Sequence, residues 1–184
     1  MKIFMRIGLY CLLLSYNQIV LAQHAEPADP CGDAAVESQS WGSVHGRVVK
    51  VEDGDTVIIS VKGSGLRRVQ MVGIAAPEGS QRFARAAHRL LERMVRGKVV
   101  EVWVNPARAW EARQKRHPST VAISGVVHLR NMEMLDVNLL MIQSGMAQHK
   151  QPEPYSMSSY SQCHYARAED EARAARRGLW RGAA

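Results

Sequence analysis

The stretch VEDGDTVIISVKGSGLRRVQMVGIAAPEG, Val51–Gly79, decides the fold. Asp53-Gly54-Asp55 is a tight-turn signature, and Thr56–Val61 after it is rich in β-branched residues. Gly63 and Gly65 make a second turn. Leu66–Ile74 then reads as another strand, ended before Pro77, which has no N–H to give a ladder. The β-rich run VHGRVVKVE, starting at Val44, precedes the first turn. Together these segments predict a three-stranded meander.

Beyond Ser80 the apolar spacing changes from strand-like to helical. Phe83, Ala87, Leu90, Leu91, Met94 and Val95 fall on one face, with Arg82, Arg85, Arg89, Glu92 and Arg93 elsewhere. Gly97 is the expected stop. Lys98–Val104 is a fourth strand, residues 105–118 a long basic loop, and Ser119–Leu129 a fifth strand bent at Gly125. Asp136 is a plausible N-cap for a short helix that stops at Gly145. The Ala/Arg/Glu-rich segment from Cys163 predicts a last helix, ended by Gly178. Five strands and three helices in this order predict an α+β, mainly β domain, a five-stranded OB-type barrel.

The start of the chain reads differently. Lys2 and Arg6 precede an apolar run of signal-peptide length, too short to span a bilayer, and Val20 and Ala22 suit a cleavage site. Residues 1–22 are therefore expected to be a signal peptide, 23–43 a polar arm, 44–180 the domain and 181–184 a tail. The mature protein is expected to be periplasmic or secreted, without stable membrane insertion. Residues 1–22 carry two basic residues and no acid, so cleavage lowers the formal charge from +7 to +5. That charge suits an anionic partner and equally suits solubility alone. Cleavage leaves Cys31 and Cys163, which are expected to pair in an exported chain.

Four motifs in this order and spacing resemble the staphylococcal nuclease (thermonuclease) family: VEDGDTV, VGIAAPEG, LDVNLLMIQSGMA and ARRGLW. The resemblance covers Val44 to Trp180. It implies the barrel and three helices, and for active members a Ca²⁺-dependent phosphodiesterase acting on DNA and RNA. That chemistry needs a carboxylate to activate water, a carboxylate-held cation on the phosphate, and arginines to stabilise transition-state charge. Carried over residue by residue, Glu78 takes the general-base position. Asp55 takes a metal position, with Asp53 completing its turn and Ala76 offering a backbone carbonyl.

The same frame shows departures. Active members read R-x-x-G-I-D-A-P-E where this chain reads Q-M-V-G-I-A-A-P-E. Gln70 stands at an arginine position and Ala75 at a metal-carboxylate position. Ser119 falls where a second arginine is expected. Arg68 and Arg116 are candidate substitutes, and Arg113, Lys115, His117 and Tyr155 are candidate substrate contacts. For Glu78 a structural role is equally open, as a helix-start carboxylate favoured by the dipole. For DGDT the alternative is a β-turn without metal. The leading expectation is a thermonuclease-family domain with a degenerate site, binding nucleic acid or an envelope protein. The alternative is an active secreted nuclease that uses Ca²⁺ and relocated arginines.

Overall fold

The computed structural model describes residues 29–32, 41–104, 121–130, 134–152 and 156–182. The predicted leader, most of the arm, the basic loop with Arg113, Lys115, Arg116 and His117, and also Ser119 and Tyr155, lie outside them. Within Met1–Gly32 the described residues form a turn, closed by the Gly32 N–H donating to the Asp29 carbonyl at 2.9 Å. Cys31 and Cys163 are both disulfide-bonded, the state predicted for them.

In the remainder, Asp33–Ala184, the described residues form five long strands. These are β1 (Gly42–Val51), β2 (Thr56–Val61), β3 (Gly65–Met71), β5 (Val99–Val104) and β6 (Val121–Leu129). The antiparallel order is β3-β2-β1-β5-β6, and β3 also pairs with β6 in parallel, which closes the barrel. Val48, Ile59, Val69, Met71, Val100, Val102 and Val127 fill the interior from successive strands. Closure accounts for the alternation in β3: Val69 and Met71 are buried, whereas Arg68 and Gln70 are only partly so.

Three two-residue strands have no signal in the sequence: β4 (Ile74–Ala75), β7 (Leu135–Asp136) and β8 (Gln148–His149). The predicted third strand is split as a result. β3 ends at Met71, the chain turns at Gly73 (φ 75°), and β4 leaves the barrel to pair with β8. The turn is held by Asn138, whose Nδ2 donates to the Val72 carbonyl at 2.9 Å while its Oδ1 accepts the Val127 N–H at 3.0 Å. Asn138 thereby satisfies backbone groups that no ladder reaches.

Among the described residues the α-helices are α1 (Ala84–Val95), α2 (Val137–Gln143) and α3 (Ser159–Ala174). α1 begins later than the periodicity suggests, because Phe83 is its N-cap, with φ 69°, rather than a core-facing helical residue. α3 also ends before Gly178. Arg176 takes a left-handed φ of 50°, and Gly178 opens a separate 3₁₀ turn, Gly178–Trp180.

Asp136 caps α2 as predicted, its Oδ1 accepting the Leu139 N–H at 3.0 Å. It also accepts the Tyr165 hydroxyl at 2.8 Å, which ties α3 to the start of α2. Burial pushes the Asp136 carboxyl up, against the Leu139 N–H, which pulls it down. Burial and the nearby Asp136 push the Tyr165 phenol well up.

His128 on β6 is buried, lies 4.2 Å from the Trp103 ring at a 38° tilt, and has no Nδ1 partner among the described residues. Burial pushes its imidazole below the ordinary 6.5, against the opposing pull of Asp136 and Glu101. A depressed folded value means that stability is fully present above 6.5 and is lost as pH falls from there through the folded value. The His128→Gln protein should lack that loss. Its stability difference from the parent, measured by urea unfolding at several pH values, should narrow as pH falls below 6.5. A difference that stays constant would show that His128 does not charge in that range.

Candidate functional site

The DGD turn joins β1 to β2 and is closed by the Glu52 N–H donating to the Thr56 carbonyl at 2.9 Å. The Asp53 side chain accepts the Asp55 N–H at 3.0 Å, so Asp53 shapes the turn. Gly54 is required by packing. A Cβ there would lie 2.5 Å from the Ala76 Cβ and 2.7 Å from that of Ala87. Only glycine lets the turn seat against the β4 segment and α1 together.

This seating buries Asp55 to 3 % exposure. Its two carboxylate oxygens meet different donors. Oδ2 accepts the Ala76 N–H at 2.9 Å, and Oδ1 accepts the Gln70 side-chain amide at 2.8 Å. Thr56 lies opposite Gln70 across the β2–β3 ladder. Its hydroxyl reaches Gln70 Oε1 at 3.0 Å and Asp55 Oδ1 at 3.2 Å. Desolvation pushes the Asp55 carboxyl up, opposed by the Ala76 N–H and the Gln70 amide, and the balance is upward. Thr56 is therefore part of this site, although the sequence motif DGDT draws attention only to its acids.

At the position where the family resemblance expects an arginine, Gln70 thus does more than lack a charge. Glutamine can donate to Asp55 and accept from Thr56 at the same time, whereas arginine has donors only. A cation competing for Asp55 Oδ1 has to displace the Gln70 amide. Ala75 adds a methyl group and no ligand atom, and its backbone is taken up in pairing with Gln148. Ala76, predicted to offer its carbonyl, meets Asp55 through its N–H. The described residues do contain a group of metal-capable side chains, but it includes disulfide-bonded Cys31 and neither Asp53 nor Asp55. Ca²⁺ takes six to eight oxygen ligands. The residues present around Asp55 do not fit a tightly held Ca²⁺.

Glu78 follows buried Pro77 on an exposed turn. Its N–H donates to Gln81 Oε1 at 3.0 Å and its carbonyl accepts the Gln81 N–H at 3.0 Å. The carboxylate itself has no hydrogen bond or ion pair among the described residues. The helix-start role does not hold: α1 begins at Ala84, and its first turn contains no acid. The dipole effect fades within one turn, so Glu78 lies outside its reach. Arg68, the candidate substitute on β3, makes its ion pair with Glu52 (Nε to Oε2, 2.7 Å). That pair is partly exposed, in the class worth about 0–1 kcal/mol. It directs the guanidinium to the β1 end of the turn, not to Asp55.

The family model described as "Staphylococcal nuclease homologue" matches residues 68–182. A "Micrococcal nuclease" of Shigella flexneri is 30% identical over 156 residues, covering 79% of this chain and 78% of the relative. An "Uncharacterized endonuclease" of Haemophilus influenzae is 34% identical over 135 residues, covering 73% and 65%. "Protein ParB" of Escherichia coli is 31% identical over 150 residues, covering 79% and 77%. The matched region contains Gln70, Ala75, Ala76 and Glu78, together with α1, α2 and α3.

Proposed function

The chain belongs to the staphylococcal nuclease family, and from that premise we propose that it is an exported member that binds nucleic acid without hydrolysing it. The observation that carries this reading is the Gln70–Asp55 hydrogen bond at 2.8 Å. It closes the carboxylate that the family resemblance assigns to metal, using the very side chain that replaces an arginine. Ala75 removes a second anionic ligand. What remains is a barrel with a net positive charge and an exposed Glu78, unpaired among the described residues. Loss of one preorganised donor at a phosphoryl transition state commonly lowers the rate about 10²–10³-fold.

The names of two relatives, a micrococcal nuclease and an endonuclease, favour a second reading, in which hydrolysis survives with other basic residues in place of Gln70. One experiment separates the two. The purified protein is incubated with single- and double-stranded DNA and with RNA, in Ca²⁺ and in EDTA. No metal-dependent cleavage is expected, and binding should weaken steeply between about 50 and 200 mM salt. Cleavage in Ca²⁺ that disappears in the Glu78→Gln protein would establish the second reading instead. Absence of both cleavage and binding would leave a protein partner in the envelope as the remaining role.

A further inference from the structure

The geometry points to a binding groove for single-stranded nucleic acid along the start of α1, a groove that begins at Gly79 beside Glu78 and is lined by neither Glu78 nor Asp55. This rests on the nucleic-acid reading above and gives it a location. An open cleft of about 680 Å³ is lined by Gln81, Arg82, Phe83, Arg85, Ala86 and Arg89. From Gly79 to Leu91 the chain carries three arginines and no aspartate or glutamate. All three arginines are exposed and line this cleft, and none has an acidic partner among the described residues. The nearest acid along the helix, Glu92, is paired with Arg96. Arg85 and Arg89 are four residues apart and so share one helix face, as a pair of phosphate contacts must.

Phe83 makes the cleft more than a charged surface. It holds a φ of 69°, a left-handed conformation that a bulky residue adopts only under strain. Ala84 and Ala87 point into the core instead, and the ring stays half-exposed at the cleft. The Arg82 guanidinium lies over the ring, 4.7 Å from its centroid, so the two form a cation–π pair. Aromatic rings beside backbone-tracking cations are the platform that takes unpaired bases without regard to sequence. A duplex hides those bases, so the occupant is a single strand, with phosphates on Arg85 and Arg89 and a base on the Arg82–Phe83 unit.

The test measures binding of a fluorescent oligo(dT) to the full-length protein by anisotropy, across a salt series. The R85E/R89E protein is compared with K62E/K98E, which changes net charge equally at two exposed lysines elsewhere. R85E/R89E should bind roughly ten-fold or more weakly, and its log–log salt slope should fall by about 0.7 for each phosphate no longer neutralised. K62E/K98E should stay close to the parent. Phe83→Gly is the second variant, since glycine adopts the same φ without strain. It should melt no lower than the parent yet bind about ten-fold more weakly, the scale of one stacked base. Equal losses in the two charge-reversed proteins would overturn the location, and so would unchanged affinity in R85E/R89E. Full affinity in Phe83→Gly would overturn the stacking role. Failure of the parent to bind any strand would instead defeat the underlying function.

Discussion

Gln70→Arg combined with Ala75→Asp is expected to convert the protein into a Ca²⁺-dependent nuclease at least about 100-fold faster than the parent. The double change acts first on Asp55. In the parent its Oδ1 accepts the Gln70 amide at 2.8 Å, and Thr56 bridges the same two residues. Arginine at position 70 cannot accept from the Thr56 hydroxyl, so the three-residue network is dissolved. Position 70 lies on the partly exposed face of β3, so a longer side chain extends outward without entering the barrel. Aspartate at position 75 adds a second carboxylate in the segment that already approaches Asp55 through the Ala76 N–H at 2.9 Å. Glu78 is exposed, has no partner among the described residues, and is available to orient a water. Initial rates on single-stranded DNA, with EDTA and Glu78→Gln controls, measure the outcome. If the double variant folds and binds Ca²⁺ yet stays inert, positions 70 and 75 do not decide whether this site hydrolyses.

Much of this is legible in the sequence, though unevenly. The β1–β2–β3 meander follows from two glycine turns and alternating apolar residues, and α2 from its Asp136 cap. Gln70 is visible as a missing arginine. Its positive role is not, because the bonds to Asp55 and Thr56 depend on which residues of β2 and β3 stand opposite each other. Phe83 misleads for the opposite reason. Its spacing matches the apolar face of α1, and periodicity carries no information about a left-handed φ. Glu78 reads as a helix-start acid because the helical apolar spacing begins just beyond it, from Ser80. The turn at 78–81 moves the start of α1 to Ala84. The short strands β4 and β8 exist because Gly73 turns the chain out of the barrel, a tertiary event with no local pattern of its own.

Gly145→Ala should lower stability by about 3–5 kcal/mol, one of the largest effects available from a single methyl group. Two of the motifs that identify the family, QSGMA after α2 and RRGLW after α3, meet through their glycines. The Leu179 N–H donates to the Gly145 carbonyl at 2.8 Å. A Cβ on Gly145 would lie 2.4 Å from the Arg177 carbonyl oxygen, and one on Gly178 would lie 2.2 Å from that of Gly145. Backbone stands on both sides, so no side chain can rotate away. Both residues also have positive φ, 68° and 49°. Conformation and overlap can be separated. Gly63 has φ 73° with nothing within 4 Å of its Cβ position. Gly63→Ala should therefore show the backbone strain alone, about 1 kcal/mol. For a domain of this size each kcal/mol shifts Tm by about 2–4 °C. Gly145→Ala should melt roughly 5–15 °C below Gly63→Ala in a calorimetric scan. The Gly145→Ala/Gly178→Ala protein should lose less than the sum of the two, since one methyl already forces the loops apart and makes room for the other. Equal melting of Gly145→Ala and Gly63→Ala would show that the two loops separate freely, and that the paired glycines are not what docks α2 against the end of α3.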